Sequence, residues 1–390
     1  MANKQPLRVA IIGTAHRSEI IYAPLLKDLS EEVELVSIWG RSMESAKRMG
    51  ENLGVPWYTD LGKLVNETSP DFGIVCVAYQ ANGEVGLMAI ESGLNVLLET
   101  PIAHKLKEAA VIIKAGENRG RKIEVAEQYH RRPLEQIKLE LIESGLFGRV
   151  HTSFNDFMRH GYHGVSLMRS YLGFNVKPIQ LVSIVHDFNV APHLSRFGGK
   201  METETQEHAM IEFESGQIGI YHWTDDAHDS AIRWWRSTRF LAEKGMGITV
   251  GVGPNSQEWL TLLDPSGELP RCITLEQVYD HTNYEALEAI VAHTNVPELP
   301  IVRWENPFFR IAQQGRCQWW HEDETAIAGC IMSMVNAIKT NTEPSYGARQ
   351  AYIDQEIVLA INESAHEWGR PVKLPFDYLD FHEGHAQYKE

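Results

Sequence analysis

Apolar residues in this chain fall in short runs separated by amphipathic stretches, and over the first third the two alternate. Leu7–Ile12 is an apolar run with β-branched residues that ends at Gly13, which predicts a strand and a tight turn; a helical stretch follows through Ser30. The same reading predicts strands at Val33–Trp39, Phe72–Ala78, Asn95–Leu98 and Lys122–Ala126, with helices at Met43–Leu53, Gly83–Ser92 and Lys105–Arg119. Strands that are apolar throughout, rather than alternating, are covered on both faces, and their alternation with helices makes them parallel. Right-handed crossovers then give a doubly wound sheet.

The pattern changes after Arg132-Pro133. A helix is predicted over Leu134–Ser144, closed by Gly145, and the strands that follow alternate between polar and apolar: Ile179–Val185, Ala209–Phe213, Gln217–Trp223, Ile248–Val252 and Trp259–Leu263. Turns such as Glu214-Ser215-Gly216 join consecutive strands, the mark of an antiparallel sheet with one face on helices. Asp323–Thr340 and Ala348–Trp368 read as long helices. The expected fold class is therefore α/β in two domains. Residues 1–130 form a domain with a doubly wound parallel sheet, and residues 131–390 an α+β domain with an open, mostly antiparallel sheet.

Composition narrows the possible partners. At 390 residues the chain exceeds what one hydrophobic core organises. Hydrophobic residues at 43% and charged residues at 23% exclude a disordered or fibrous protein. A formal charge of −16 argues against nucleic acid as the partner. The longest apolar runs fall short of the roughly 20 residues that span a bilayer, and polar Met1–Arg8 leads straight into a strand without a signal-peptide pattern. Cys76, Cys272, Cys317 and Cys330 show no CxxC spacing and read as reduced thiols, so a cytoplasmic location is expected. His186, Asp187, His193, His222, Asp225, His228 and Asp229 lack the spacing of a metal-ligand motif, no GxSxG elbow is present, and no metal is expected.

The turn after the first strand reads Gly13-Thr14-Ala15-His16-Arg17-Ser18. In a dinucleotide fold this turn delivers a pyrophosphate to a helix N-terminus, whose free N–H groups and dipole favour negative charge. Gly13 keeps the first glycine of GxGxxG, while Ala15 and Ser18, the smallest alternatives, replace the others. A tight strand–helix turn without a ligand is the competing reading, and the surrounding strand–helix pattern favours the phosphate site. The second strand ends in Trp39-Gly40-Arg41-Ser42, with no acid to meet a ribose 2′-hydroxyl. An Arg with a Ser suits a 2′-phosphate, so NADP is preferred over NAD; the alternative is that Arg41 is a solvated charge at a helix start.

Asp71–Ala78 leads through a helix to Ala89–Ala103, which contains Glu99-Thr100-Pro101. This segment resembles the Gfo/Idh/MocA oxidoreductase family, whose signature here is a strand ending in Glu-Lys-Pro. The resemblance continues through Glu127–Pro133, Ile142–Gly148, His163–Gly173 and Glu356–Trp368 with Arg370-Pro371-Val372. It implies that residues 1–130 are a Rossmann dinucleotide-binding domain and residues 131–390 a substrate-binding and oligomerisation domain, with NAD(P) held at the strand carboxyl ends and sugars, cyclitols or related polyols as substrates. The cofactor residues it implies are Gly13, Ala15, His16, Arg17, Ser18, Gly40, Arg41, Ser42, Ala78, Tyr79, Asn82, Glu99 and Glu127. Two departures stand out. The family's catalytic Lys corresponds to Thr100, and the Asp four residues before its second-domain His corresponds to Arg159, with His163 matching the His.

Removing hydride from an alcohol leaves a carbonyl only if a base takes the hydroxyl proton, and imidazole titrates near neutrality. His163 is the leading catalytic candidate; Tyr162, Arg159 and Thr100 complete the set. The competing reading makes His163 a cap for a helix over Val165–Leu172. Tyr129, His160, Trp223 and Trp320 are candidates for binding a sugar, although such aromatic residues also serve as packing. The expected function is NAD(P)-dependent oxidation or reduction at a ring hydroxyl or ketone of a sugar, glycoside or cyclitol, with C3 of a glucoside as one option. The alternatives are redox-neutral glycoside cleavage or epimerisation with a retained cofactor, and a non-catalytic dinucleotide- or sugar-binding protein. An open sheet leaves one face for a partner, so a homo-oligomer is expected.

Overall fold

The computed structural model describes residues 5–157, 161–195, 198–225, 236–251, 256–267, 269–281, 286–314 and 322–376. The chain divides into two compact units. The first comprises Met1–Arg131, Asp280–Ala286 and Pro307–Gln355; the second comprises Arg132–Tyr279, Leu287–Asn306 and Glu356–Glu390. Among the described residues no helix is long and apolar enough to cross a membrane.

The first unit holds strands β1 (Leu7–Ile12), β2 (Val33–Trp39), β3 (Trp57–Tyr58), β4 (Phe72–Val75), β5 (Asn95–Leu98) and β6 (Ile123–Val125). They form a six-stranded sheet in the order β3-β2-β1-β4-β5-β6 with parallel pairing. The order reverses between β1 and β4, the switch point at which a doubly wound sheet opens a crevice. Val9, Ile11, Ile74 and Leu97 are fully buried and share one apolar core with Ile327, Ile331 and Met334 of the helix Asp323–Thr340. The helix Met43–Leu53 matches its expected bounds because Ser42 caps its start and Gly54, in the left-handed region, ends it. β4 stops at Val75, short of the expected Ala78, because the chain turns there into a helix that begins at Tyr79. Strand β3 and the helix Leu61–Thr68 were not foreseen, the strand being only two residues long.

The second unit holds β7 (Val150–Phe157), β8 (Pro178–Leu194), β9 (Lys200–Phe213), β10 (Ile218–Thr224), β11 (Arg236–Ala242), β12 (Gly245–Val250), β13 (Gln257–Leu262), β14 (Arg271–Asp280), β15 (Ala286–His293), β16 (Ile301–Glu305) and β17 (Val372–Lys373). They form an eleven-stranded sheet in the order β16-β15-β14-β13-β12-β11-β7-β10-β9-β8-β17. Only β7 and β10 pair in parallel among the ladders described. β8 and β9 make a hairpin longer than the sequence pattern predicts, because the outer half of β8 is exposed on both faces and carries no alternation.

One face of this sheet is buried under helices. Met168, on the helix Gly161–Leu172, sits over Gly219, where any side chain would collide with its sulfur. On the same face Thr238, Thr249 and Glu258 line up across β11, β12 and β13. The Lys138 ammonium, from the helix Pro133–Glu143, reaches this row: it donates to Glu135 at 2.9 Å, lies 3.3 Å from Glu258 and donates to Thr249. Tyr171 completes the group by donating to Glu135. The opposite face carries an apolar row whose register runs Val182, Met210, Ile220, Phe154, Arg239, Ile248, Trp259. Arg239 interrupts the row but lies flat over the Phe154 ring, 3.7 Å from its centroid. Met210 and Trp259 are 52% and 66% exposed, a large apolar presentation for one face of a sheet.

Candidate functional site

In the first unit the sequence-predicted residues gather at the carboxyl ends of the strands. Gly13 has φ +122°, and a Cβ there would lie 2.0 Å from the Cys76 carbonyl, so glycine is required where the β1 turn touches the end of β4. Gly40 is crowded as well, since a Cβ there would lie 2.9 Å from the Thr14 side chain. The Thr14 hydroxyl donates to Ser45 at 3.0 Å, which ties the β1 turn to the β2 end. Ser42 accepts from the Ser45 N–H as a helix cap. Arg41 is exposed and makes no hydrogen bond or ion pair with the described residues.

Two helices start at this crevice without a side-chain cap. One begins at Ser18 as a single wide turn, Ser18–Tyr22, and continues through Ala23–Asp28; the other is Tyr79–Glu91, preceded by Ala78. By contrast, the helices at Met43 and Leu61 are capped by Ser42 and Asp60. Uncapped N–H groups beside small residues at a switch point suit a pyrophosphate, so the residues present fit a dinucleotide. The Asn82 amide donates to the carbonyls of Glu99 and Pro101, at 2.6 and 2.8 Å, and fixes the strand end, while its own buried oxygen has no partner.

The acid of Glu99-Thr100-Pro101 is braced from two sides. Arg17 Nε and the Tyr22 hydroxyl both donate to Glu99 Oε1, the latter at 2.7 Å, and Thr100 N donates to Oε2 at 3.2 Å. Burial works against the Arg17 charge, and the Glu99 carboxylate outweighs it, so its pKa lies above the ordinary value. Burial, reinforced by Glu99, likewise raises the Tyr22 phenol and keeps it protonated as a donor. His16 is exposed on the same turn. Tyr79 packs edge-on against His104, with ring centroids 5.3 Å apart. Glu127 is fully buried and accepts from Tyr129 N at 2.9 Å, and Tyr129 is itself buried.

In the second unit Tyr162 and His163 lie in the first turn of the helix Gly161–Leu172, both buried, with ring centroids 6.0 Å apart. His163 is thus inside the helix rather than capping one that starts at Val165. The Asn155 amide donates to the Gly164 carbonyl and anchors this turn on β7. A Cβ on Gly161 would lie 2.3 Å from the Tyr221 hydroxyl and 3.9 Å from the Trp223 ring, so both aromatic residues stand at the same helix start. Arg159, His160 and Trp320 lie outside the described residues, as do Trp234, Trp235, Trp319, His228, Asp229 and Cys317.

One group was missed. Glu207 is the cross-strand partner of Trp223 and shares the helix-covered face with Ala209, Ile211 and Phe213. Burial alone raises its pKa from 4.5 to about 7. A carboxyl that titrates near neutrality can give or take a proton. The period-two pattern that buries Ala209 and Ile211 also turns Glu207 inward, and that was the available signal. A raised acid stabilises the fold at low pH. The contribution is complete below the ordinary 4.5 and fades as pH rises through about 7, amounting to about 3 kcal/mol. Glu207→Gln is expected to flatten this slope in unfolding titrations over that window; an unchanged slope would contradict the assignment.

Comparison with known proteins adds the following. Residues 7–127 match the model of an oxidoreductase family with an NAD-binding Rossmann fold. An uncharacterised protein of Saccharomyces cerevisiae is 26% identical over 141 residues, spanning 35% of this chain and 40% of that protein. The D-glucoside 3-dehydrogenase of Escherichia coli is 23% identical over 315 residues, spanning 74% of this chain and 88% of that enzyme. Among solved structures, the WlbA dehydrogenase of Chromobacterium violaceum, in complex with NADH and UDP-GlcNAcA, shares the fold. Its TM-score is 0.68 at 16% identity, covering 96% of this chain and 98% of that one.

Proposed function

We infer the function from one premise: residues 7–127 are the NAD-binding Rossmann domain of a Gfo/Idh/MocA-family oxidoreductase. The protein is a dehydrogenase of a ring hydroxyl on a sugar or glycoside, with C3 of a glucoside the position favoured. The observation that carries this reading is the uncapped helix start after Gly13, set at the switch point between β1 and β4. The likeness to an enzyme named D-glucoside 3-dehydrogenase, and to a dehydrogenase that holds NADH with a nucleotide sugar, supports the substrate class.

The dinucleotide, when bound, accepts a hydride from the carbon that carries the hydroxyl. The residues of this chain must then dispose of the hydroxyl proton. His163 takes it, since an imidazole is the side chain best matched to that task, and Tyr162 and Arg159 assist in orienting the oxygen. Trp223 offers an aromatic face to the C–H side of a sugar ring, as does Trp320 in the sequence, and His160 supplies a polar contact. Thr100 stands at the end of β5, where its hydroxyl can hydrogen-bond but cannot act as a base. Mixing cofactor-loaded protein with a panel of glycosides in a stopped-flow instrument is expected to change absorbance at the nicotinamide band. Silence across the panel, with cofactor demonstrably bound, would contradict the reading.

Arg41 decides between the two cofactors in this account. A guanidinium without a partner among the described residues at the β2 end suits a 2′-phosphate. Arg41→Ala is expected to weaken NADPH binding by about 10- to 100-fold and to leave NADH binding nearly unchanged, as measured by nicotinamide fluorescence. Equal effects on both would remove the preference for NADP. A second copy of this chain covers the apolar row of the second unit, so sedimentation is expected to show a homo-oligomer; a monomer at working concentrations would overturn that assignment.

A further inference from the structure

The brace at Glu99 leaves most of the Arg17 guanidinium unused. Its Nε donates to Glu99, and the two terminal nitrogens make no hydrogen bond or ion pair with the described residues. The side chain remains 37% exposed, whereas Glu99 is 12% exposed. A guanidinium carries five N–H donors in one plane, so fixing Nε orients the other four. Tyr22, one turn further along the helix, holds the same carboxylate oxygen at 2.7 Å and keeps Glu99 from turning away.

The direction of this side chain matters. Arg17 belongs to the β1 turn, but its partner follows β5, two places along in the order β1-β4-β5. In a doubly wound fold the β2 end meets the adenosine ribose and the β1 turn meets the pyrophosphate, so the rest of a dinucleotide extends toward β4 and β5. Arg17 leans the same way, past the pyrophosphate position. We propose that the terminal N–H groups of Arg17 hold a negatively charged ligand oxygen at the nicotinamide half of the crevice, the substrate oxygen that bears charge once its proton has left and that gives this charge up to the carbonyl bond as hydride departs from its carbon. This deepens the dehydrogenase reading and rests on it. A cation held there is worth most when charge develops on the oxygen opposite, because it needs no reorganisation. Glu99 and Tyr22 act through Arg17 as positioning residues.

The same chemistry could instead serve the pyrophosphate, and a binding experiment separates the two. Protein is loaded with NADH and titrated with D-glucuronate, a pyranose whose carboxylate stands in for the charged oxygen, with nicotinamide fluorescence as the readout. Arg17→Met is expected to raise the glucuronate Kd by about 10- to 100-fold and to raise it by at least about tenfold more than the NADH Kd. Because Arg17→Met leaves the Glu99 charge without its cation, Arg17→Met/Glu99→Gln is measured beside it; it removes both charges and is expected to show the same loss. A raised NADH Kd with glucuronate binding intact would place Arg17 on the pyrophosphate and overturn the proposal. So would no change in either constant, or wild-type protein that binds NADH but not glucuronate. Wild-type protein that binds no NADH would overturn the dehydrogenase reading itself.

Discussion

His163→Ala is expected to lower kcat for glycoside oxidation by about 10²- to 10⁴-fold, the usual contribution of a positioned acid–base group. NADH binding should be unaffected, since His163 lies outside the matched residues 7–127. The loss should fall on kcat rather than on the cofactor Kd, which separates lost proton transfer from a damaged site. His163 is buried in a helix whose first turn is anchored by Asn155, so the variant keeps its backbone support. A kcat within about threefold of wild type would remove His163 from the chemistry and make Glu207 the next acid–base group to test.

The second large effect concerns stability. Lys138 is fully buried between two carboxylates, Glu135 and Glu258. Burial works against its charge, and the two carboxylates outweigh burial and raise its pKa well above the ordinary value. Burial also raises the Glu258 carboxyl, against the pull of Lys138. Lys138→Met strips the cation and leaves both acids facing each other in the interior, a change that costs about 3–5 kcal/mol. Denaturant unfolding is the measure. The sign with pH follows from the raised Glu258 acid: its protonated form is tolerated inside, so the variant should recover stability as pH falls toward 4.5 and lose it as pH rises. A variant within about 1 kcal/mol of wild type at neutral pH would show that the cluster contributes little.

What the sequence revealed follows from how local each signal was. β1, Gly13 and the capped helix Met43–Leu53 are set by adjacent residues, and the structure places them where the pattern does. The parallel sheet was legible because its strands are apolar throughout, and the open sheet because its strands alternate. The long β8–β9 hairpin was only half legible, since exposed strand residues carry no burial pattern. Contacts between distant residues were hidden. Arg17 and Glu99 are 82 positions apart, and nothing in either segment marks them as a pair. Lys138 reads as an ordinary surface charge on an amphipathic helix until Tyr171, Thr249 and Glu258 from three other elements surround it. Glu207 was legible in principle, but a carboxylate on a buried strand face runs against the usual preference for placing charge outside.

The central claim is that a sugar ring carbon surrenders hydride to a nicotinamide held by the first unit. A methyl glucoside deuterated at its ring carbons, incubated with the protein and NAD or NADP, tests this directly by mass spectrometry of the reduced cofactor. The account predicts that deuterium arrives in the nicotinamide ring together with a ketone on the sugar. Reduced cofactor without the label, or unchanged cofactor beside unchanged sugar, would contradict it.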